Sequence, residues 1–272
     1  FKDPVRGDFR FRWGSPAARA GFPPFDTDKA GVYGSRAWRA LAAAERYPAV
    51  VFAPAPERYV VRRLSEKFDS LPLKIEFPGV NSHVEKKGDG IFVTDETAYS
   101  GRQSLKIQDA PDLTHLYNPH FTFACAYTNA TVENSFAVRM SVDAEFFAEW
   151  RDYPEDGGNG YAVGPCLVFR GGKAYARTRV RKEDGNLVLA ERPLGEFAVD
   201  TWAKVTVRAG VGARDTRMWS ARIEPQGAPA VEVAGLLFAN DAFRAAEWLG
   251  FCSTAKRATA YYLDDFEFGE RE

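Results

Sequence analysis

The heptapeptide WAKVTVR, residues 202–208, decides how this chain is read. Ala203, Val205 and Val207 fall on one side of an extended backbone, and Trp202, Lys204, Thr206 and Arg208 fall on the other. Such alternation describes a strand with one face in a core and one in water. Outward from it, NSFAVRMSV (134–142) repeats the pattern, with Phe136, Val138, Met140 and Val142 on one face. KIEF (74–77), IFVT (91–94), SLKIQ (104–108), GPCLVF (164–169), KAYARTR (173–179), MWSARI (218–223) and TAYYLDDFEF (259–268) read as further strands. Turn signals separate them: Lys87-Gly88-Asp89-Gly90, Ser100-Gly101, the Gly-rich run at 156–160 and Asp184-Gly185-Asn186. Many short strands with regular turns predict an all-β fold, an antiparallel two-sheet β-sandwich over residues 65–272. Helix is expected to fall far below the usual ~30–35%.

Composition agrees. The 272 residues are 45% hydrophobic and 27% charged, enough apolar material for one large core. Aromatics reach 14%, with 21 Phe, and most of these are expected inside the sandwich. Thirty-six basic residues against 37 acidic ones leave a net charge of −1, so no global field draws the chain to nucleic acid or to an anionic membrane. No apolar run approaches the ~18–20 residues of a membrane helix. Cys125, Cys166 and Cys252 sit far apart in apolar runs and match no zinc spacing. Buried free thiols are the first reading, and one disulfide with a leftover thiol is the alternative.

Residues 1–64 follow a different grammar, an irregular N-terminal extension. Gly and Pro punctuate them, and AWRALAAAER (37–46) is a short helix. Pro48, Pro54 and Pro56 exclude regular structure over 47–64, which reads as an extended linker. The chain starts at Phe1 rather than Met and reads as a processed or excised piece of a longer secreted protein.

Two resemblances extend this reading. Phe1, Asp3, Pro4, Gly7, Asp8, Phe9, Arg10, Gly14, Ser15, Pro16, Ala17 and Gly21 resemble the closing coil of right-handed parallel β-helix proteins. Many polysaccharide lyases and glycosidases belong to that family, so the resemblance implies a β-helix upstream in the same polypeptide. VTDETAYSGRQSLKI (93–107), with WLGF and YYLDDFEF near the end, is similar to β-sandwich carbohydrate-binding modules of the concanavalin-A-like jelly-roll and laminin-G-like type. Trp202 and Trp219 on neighbouring strands fit that architecture. The resemblance implies a secreted, periplasmic or cell-surface setting and a polysaccharide partner. It also implies one structural Ca²⁺ between the first and last strands, with Asp95, Glu96 and Asp264 as hard oxygen ligands. The other reading of these carboxylates places Asp264 among turn N–H groups and the other two in water. Strand parity places Asp264 on the inner face with Phe266, Phe268 and Tyr262.

Three constellations are candidates for binding. Tyr117, Asn118 and His120 lie near one strand, and Trp150, Arg151 and Asp152 on another; an aromatic face beside fixed donors and acceptors suits a pyranose. A core aromatic and a local ion pair are the plainer reading. Tyr175, Arg177, Arg179 and Arg181 recur with period two, so one strand face carries all four, and Arg forks suit carboxylate or sulfate. Such a row also serves solubility alone. G-x-S-x-G, P-loop, G-x-G-x-x-G, H-E-x-x-H and E-x-D-x-x-E patterns are missing, so the chain by itself reads as non-catalytic. The expected function is a carbohydrate-binding or accessory module of a β-helix polysaccharide-degrading enzyme, for an acidic polymer. The alternatives are a sandwich-fold polysaccharide lyase using Tyr117, His120 and Arg151, a glycoside hydrolase, or a domain that only stabilises the β-helix.

Overall fold

The computed structural model describes residues 1–3, 8–23, 34–44, 63–154 and 160–271. The chain divides into two compact units, 1–56 and 57–272. In the first, Asp3 and Asp8 form one antiparallel bridge. Asp8 accepts from Arg10 at 2.7 and 2.6 Å, and Arg12 donates to the Phe1 carbonyl. Helix α1 (Pro16–Arg19) carries Pro at its start, where the missing N–H costs nothing. Helix α2 (Arg36–Ala44) is the Ala-rich segment anticipated from sequence, and the Trp38 N–H donates to Ser35 Oγ at 3.2 Å before its first turn. Pro4 and Gly7 of the β-helix resemblance, and most of the linker, lie outside the described residues.

The second unit is the sandwich. Its strands are β1 (Arg63–Glu66), β2 (Asn81–His83), β3 (Gly90–Thr94), β4 (Ser104–Asp109), β5 (His120–Tyr127), β6 (Ala130–Met140), β7 (Glu145–Asp152), β8 (Ala162–Arg170), β9 (Lys173–Arg181), β10 (Leu187–Glu196), β11 (Ala203–Val211), β12 (Met218–Pro225), β13 (Val231–Leu237), β14 (Ala246–Ser253) and β15 (Thr259–Arg271). One sheet runs β13-β12-β11-β6-β15-β4-β3, with β1 also on β15; the other runs β10-β9-β8-β7-β14-β5-β2. Every pairing among them is antiparallel. The 3-10 turn at Gly212–Arg214 is the only helical element among the described residues of this unit.

The inner faces meet over an aromatic core. Phe121 stacks on Phe251 at 5.0 Å and Phe146 on Phe169 at 4.6 Å, while Tyr261 lies on Phe146 at 3.9 Å. Phe136, Phe266 and Phe268 fill the space from the opposite sheet, each no more than 1% exposed. Each such ring contributes roughly 1.5–3 kcal/mol by leaving water. The three cysteines are buried, and Cys125 Sγ donates to the Ala246 carbonyl at 3.2 Å.

Three expectations are corrected. KIEF is not a strand: Lys74 takes φ +64°, its backbone bonds to the sheet are Lys74 N–H to Val93 O and Val93 N–H to Ile75 O, and Phe77 packs in the core against Phe121 and Phe123. Val142 lies beyond the end of β6 and is 62% exposed. The parity argument for Asp264 also fails, although the residue is fully buried. Tyr261 and Leu263 face the core, and so do Phe266 and Phe268. The inward parity therefore switches from odd to even between 263 and 266. A bulge does this: β15 loses register with β6 between Asp264 and Glu267, and Asp265 takes φ +44°. Asp264 thus stands opposite Ala137 on the outer face and is sealed there by the loop after β3.

Candidate functional site

The outer face of the seven-stranded sheet holds a cleft of about 710 Å³. Strand alternation supplies its floor. Phe147, Glu149 and Arg151 project from β7, Trp248 and Cys252 from β14, His120 from β5, Arg177 from β9 and Leu189 from β10. Loops add Leu116 and Tyr117 at one side, Tyr161 at another, and Ala239 with Asn240 at a third.

Register explains the centre. Trp248 is the cross-strand partner of Arg151, and Gly250 is the partner of Glu149. Gly250 has no Cβ, and one placed there would come within 2.1 Å of the Trp248 indole, so the ring lies across the glycine. The Arg151 guanidinium is then held between two aromatic faces, 4.0 Å from the Trp248 centroid and 4.2 Å from that of Tyr161. Its edge meets Glu149, with Nε donating to Oε1 at 2.6 Å and Nη2 at 2.5 Å from the same oxygen. Glu149 is 5% exposed, and Cys166 Sγ lies 3.7 Å from its other oxygen. Beside this pair, β8 carries Gly164 and Pro165 opposite the single residue Trp150, a bulge between the Glu149–Cys166 and Arg151–Val163 pairings. Pro165 brings no N–H to the ladder, and a bulge tolerates that.

At the β5 side the histidines converge. His120 stacks on His83 at 4.4 Å, Tyr117 lies edge-on to His120 at 5.5 Å, and His115 stacks on Tyr117 at 5.3 Å. Burial first, then the nearby His83, Arg151 and His115, push the His120 imidazole down to about 4, so it is neutral near pH 7. The thiols are not nucleophiles here: burial pushes Cys252 up to about 12 and drives Cys166 upward as well. At the β9 side, Arg177 shares Glu191 with Arg170, at 3.1 and 2.7 Å.

Of the residues singled out from sequence, Tyr117, His120, Arg151 and Arg177 share this cleft. Asn118 supports it from behind, with Oδ1 2.7 Å from His120 Nδ1. Trp150 is not part of it. It is 2% exposed and meets Phe268 in the core, because neighbours on a strand face opposite ways and Arg151 faces out. Asp152 accepts from the Arg244 and Ala245 N–H groups and anchors the 238–245 loop. Arg179 holds the same loop through the Phe238 carbonyl and Asp241, Tyr175 stacks under Arg170, and Arg181 donates to the Gly185 carbonyl. Sequence reasoning missed the cage residues Trp248 and Tyr161. Trp248 carried a signal, since Trp, Gly and Cys alternate at 248, 250 and 252 opposite the apolar Leu249 and Phe251.

The proposed calcium ligands do not converge. Asp95 and Glu96 are exposed, and Glu96 accepts from Lys106 Nζ and Tyr262 OH. Asp264 accepts from the N–H groups of Tyr99, Ser100 and Asp265 at 2.7, 3.1 and 2.7 Å, the donor-rich alternative to a cation. Burial raises its carboxyl to about 6. Among the described residues, no three His, Cys, Asp or Glu side chains stand where one metal ion could be held.

No protein-family model and no curated protein sequence matches the chain. Solved structures do. An endo-β-1,4-glucuronan lyase from the fungus Trichoderma reesei matches at 14% identity and TM-score 0.53, over 75% of this chain and 96% of that one. A PL-14 alginate lyase from Aplysia kurodai matches at 8% identity and TM-score 0.47, over 66% and 87%. A CBM22-1 xylan-binding domain from Paenibacillus barcinonensis matches at 15% identity and TM-score 0.35, over 76% and 92%. At such identities the likeness is one of fold: this chain is an all-β, antiparallel two-sheet sandwich of the jelly-roll kind that the glucuronan lyase also has.

Proposed function

We propose that the cleft binds an acidic polysaccharide, and that the chain serves as a carbohydrate-binding module. The observation that carries this reading is the caged Arg151. Its two faces are covered by Trp248 and Tyr161 and part of its edge by Glu149, so its remaining N–H donors are fixed in direction and partly dehydrated. A planar fork held in this way suits a carboxylate, and the flanking rings suit pyranose faces. The floor runs from β5 to β10, five strand intervals of ~4.7–4.9 Å, so it accommodates several sugar units rather than one. The sequence resemblances support a secreted or cell-surface setting beside a β-helix partner. Calorimetry with polyglucuronate and alginate, against neutral xylan as control, tests the reading. Binding of the acidic polymers that is lost in Arg151→Lys is expected, and no heat with any polymer rejects it.

A second reading, lyase chemistry, is favoured by the convergence of Tyr117, His120 and Arg151 in one cleft. Arg151 would hold the uronate carboxylate and His120 would take the C5 proton. That electron pair would form the C4–C5 double bond as the C4–O bond breaks, and the Tyr117 hydroxyl would protonate the leaving oxygen. A base with a pKa of about 4 is poorly matched to a carbon acid near neutral pH, which places binding first. Ultraviolet absorbance of the unsaturated product separates the two: its appearance during incubation with a polyuronate establishes the lyase, and a flat trace with binding intact leaves the module.

A further inference from the structure

His120 reaches a carboxylate that does not line the cleft at all. Glu85 lies just after β2, and its side chain is 11% exposed. It accepts from the Thr114 N–H at 2.7 Å, the His115 N–H at 2.9 Å and Asn118 Nδ2 at 2.9 Å, and Lys87 Nζ stands 3.0 Å away. These donors, the Thr114 N–H first, hold its carboxyl far below the usual range, so it is ionised at any working pH. An ionised carboxylate only accepts. The Asn118 atom facing it must therefore be the amide nitrogen, and the amide oxygen must face His120. That oxygen also only accepts, so the imidazole nitrogen 2.7 Å from it, Nδ1, must carry the proton. The backbone of Tyr117, a further hydrogen-bond partner of the ring, acts beside it. Asn118 is 6% exposed, so water does not compete freely for the amide.

We propose that Glu85 is a positioning residue which, through Asn118, locks His120 as the Nδ1–H tautomer, so that the β5 end of the cleft presents the Nε2 lone pair as an acceptor. This rests on the cleft being the polysaccharide site, and it assigns polarity to the ligand. The His120 end takes a sugar hydroxyl, which donates, and refuses a carboxylate oxygen, which cannot. The carboxylate then belongs at the Arg151 and Arg177 end. One carboxylate also ties two N–H groups of the loop bearing Leu116 and Tyr117, so the same residue sets the loop and the tautomer.

The test is ring-nitrogen NMR on ¹⁵N-histidine-labelled protein without ligand. The chain has three histidines, so the spectrum of His120→Gln identifies the missing set. At neutral pH the unsubstituted protein is expected to show a protonated Nδ1 and an unprotonated Nε2 for His120. An Nε2–H tautomer, or the averaged shifts of a free ring, overturns the proposal. In Glu85→Gln, whose amide can donate or accept, the bias is expected to relax and the two ring-nitrogen shifts to move toward each other. Shifts identical to those of the parent overturn the role of Glu85. Should that variant fail to fold, the measurement on the unsubstituted protein still decides the tautomer. Failure of polyuronates to bind in calorimetry would instead reject the cleft reading while leaving these shifts readable, so the two failures are distinguishable.

Discussion

On the outer face of the eight-stranded sheet, Arg222 divides its guanidinium between Glu224 and Glu232, and the three side chains are 43%, 43% and 60% exposed. On the outer face of the seven-stranded sheet, Arg151 meets Glu149 with exposures of 19% and 6%. Both are Arg–Glu contacts on the outward positions of antiparallel strands. Arg222 and its partners lie among water, where pairing is nearly balanced by lost hydration and side-chain freedom. Arg151 lies under two aromatic rings, where losing a partner strands a dehydrated charge. The same alternation of residues thus yields a solvated Arg–Glu cluster on one sheet and a covered Arg–Glu pair in the cleft of the other. The difference lies in aromatic cover, which Trp248 supplies from the neighbouring strand and Tyr161 from a loop.

The largest expected effect breaks the comparison directly. Arg151→Ala leaves Glu149 buried and unpaired and should lower stability by about 3–5 kcal/mol in urea unfolding. Arg222→Ala should change it by no more than about 0.5 kcal/mol. Equal costs would mean that the two faces do not differ in kind.

Asp264 sharpens the contrast, because it is a carboxylate sealed from water on the same sheet as the exposed Arg222. Asp264→Ala deprives three backbone N–H groups of their acceptor and should cost about 2–3 kcal/mol. Its pH dependence has a defined sign. The folded carboxyl, at about 6, holds its proton more tightly than the ordinary 3.8, so its contribution falls as pH rises from about 4 to above 6. The stability advantage of the parent over Asp264→Asn should therefore shrink across that window. An unchanged advantage would place the carboxyl in water, and one that grows would mean that the three N–H groups hold it ionised below the ordinary value.

Trp248→Ala should weaken binding of an acidic polysaccharide by about tenfold, the ~1–2 kcal/mol of a partly dehydrated cation–π contact. Arg222→Ala should leave that binding unchanged. A loss shared by both variants would move the ligand off the cleft.

The smallest effect concerns His120. Its folded value of about 4 lies below the ordinary 6.5, so the unfolded chain holds more protons between the two. Its contribution is complete above pH 6.5 and is lost as pH falls toward 4. With water screening the ring, the loss is about 1 kcal/mol. Chemical unfolding of the parent and His120→Gln at pH 4 and 7 measures it, and a parent that is no more pH-sensitive than the variant would contradict the buried, neutral ring.

The candidate site was legible where chemistry and period coincide. Arg177 stands out because Arg recurs every second residue, and Arg151 because Arg and Asp follow a Trp in a strand-like run. Trp150 was misplaced by the same run: adjacency in sequence puts two strand residues on opposite faces, so the aromatic partner of Arg151 had to come from elsewhere. It came from Trp248, almost 100 positions away in sequence, through the β7–β14 register. Glu85 was illegible because its effect on His120 passes through an amide contributed by another loop.

What the sequence by itself determined is the period-two pattern, and with it the two-sheet sandwich, because a strand that alternates apolar and polar residues must bury one face and wet the other. The tertiary structure alone decided which wet face became a cleft, which of three similar carboxylates was sealed from water, and which histidine nitrogen carries the proton. Asp95, Glu96 and Asp264 look alike in a sequence, yet a bulge turns Asp264 to the outer face, where the loop after β3 seals it among three N–H groups, and leaves the other two exposed. The physical reason is that hydration and hydrogen-bond direction depend on partners brought together by register, and register is a property of paired strands, not of one.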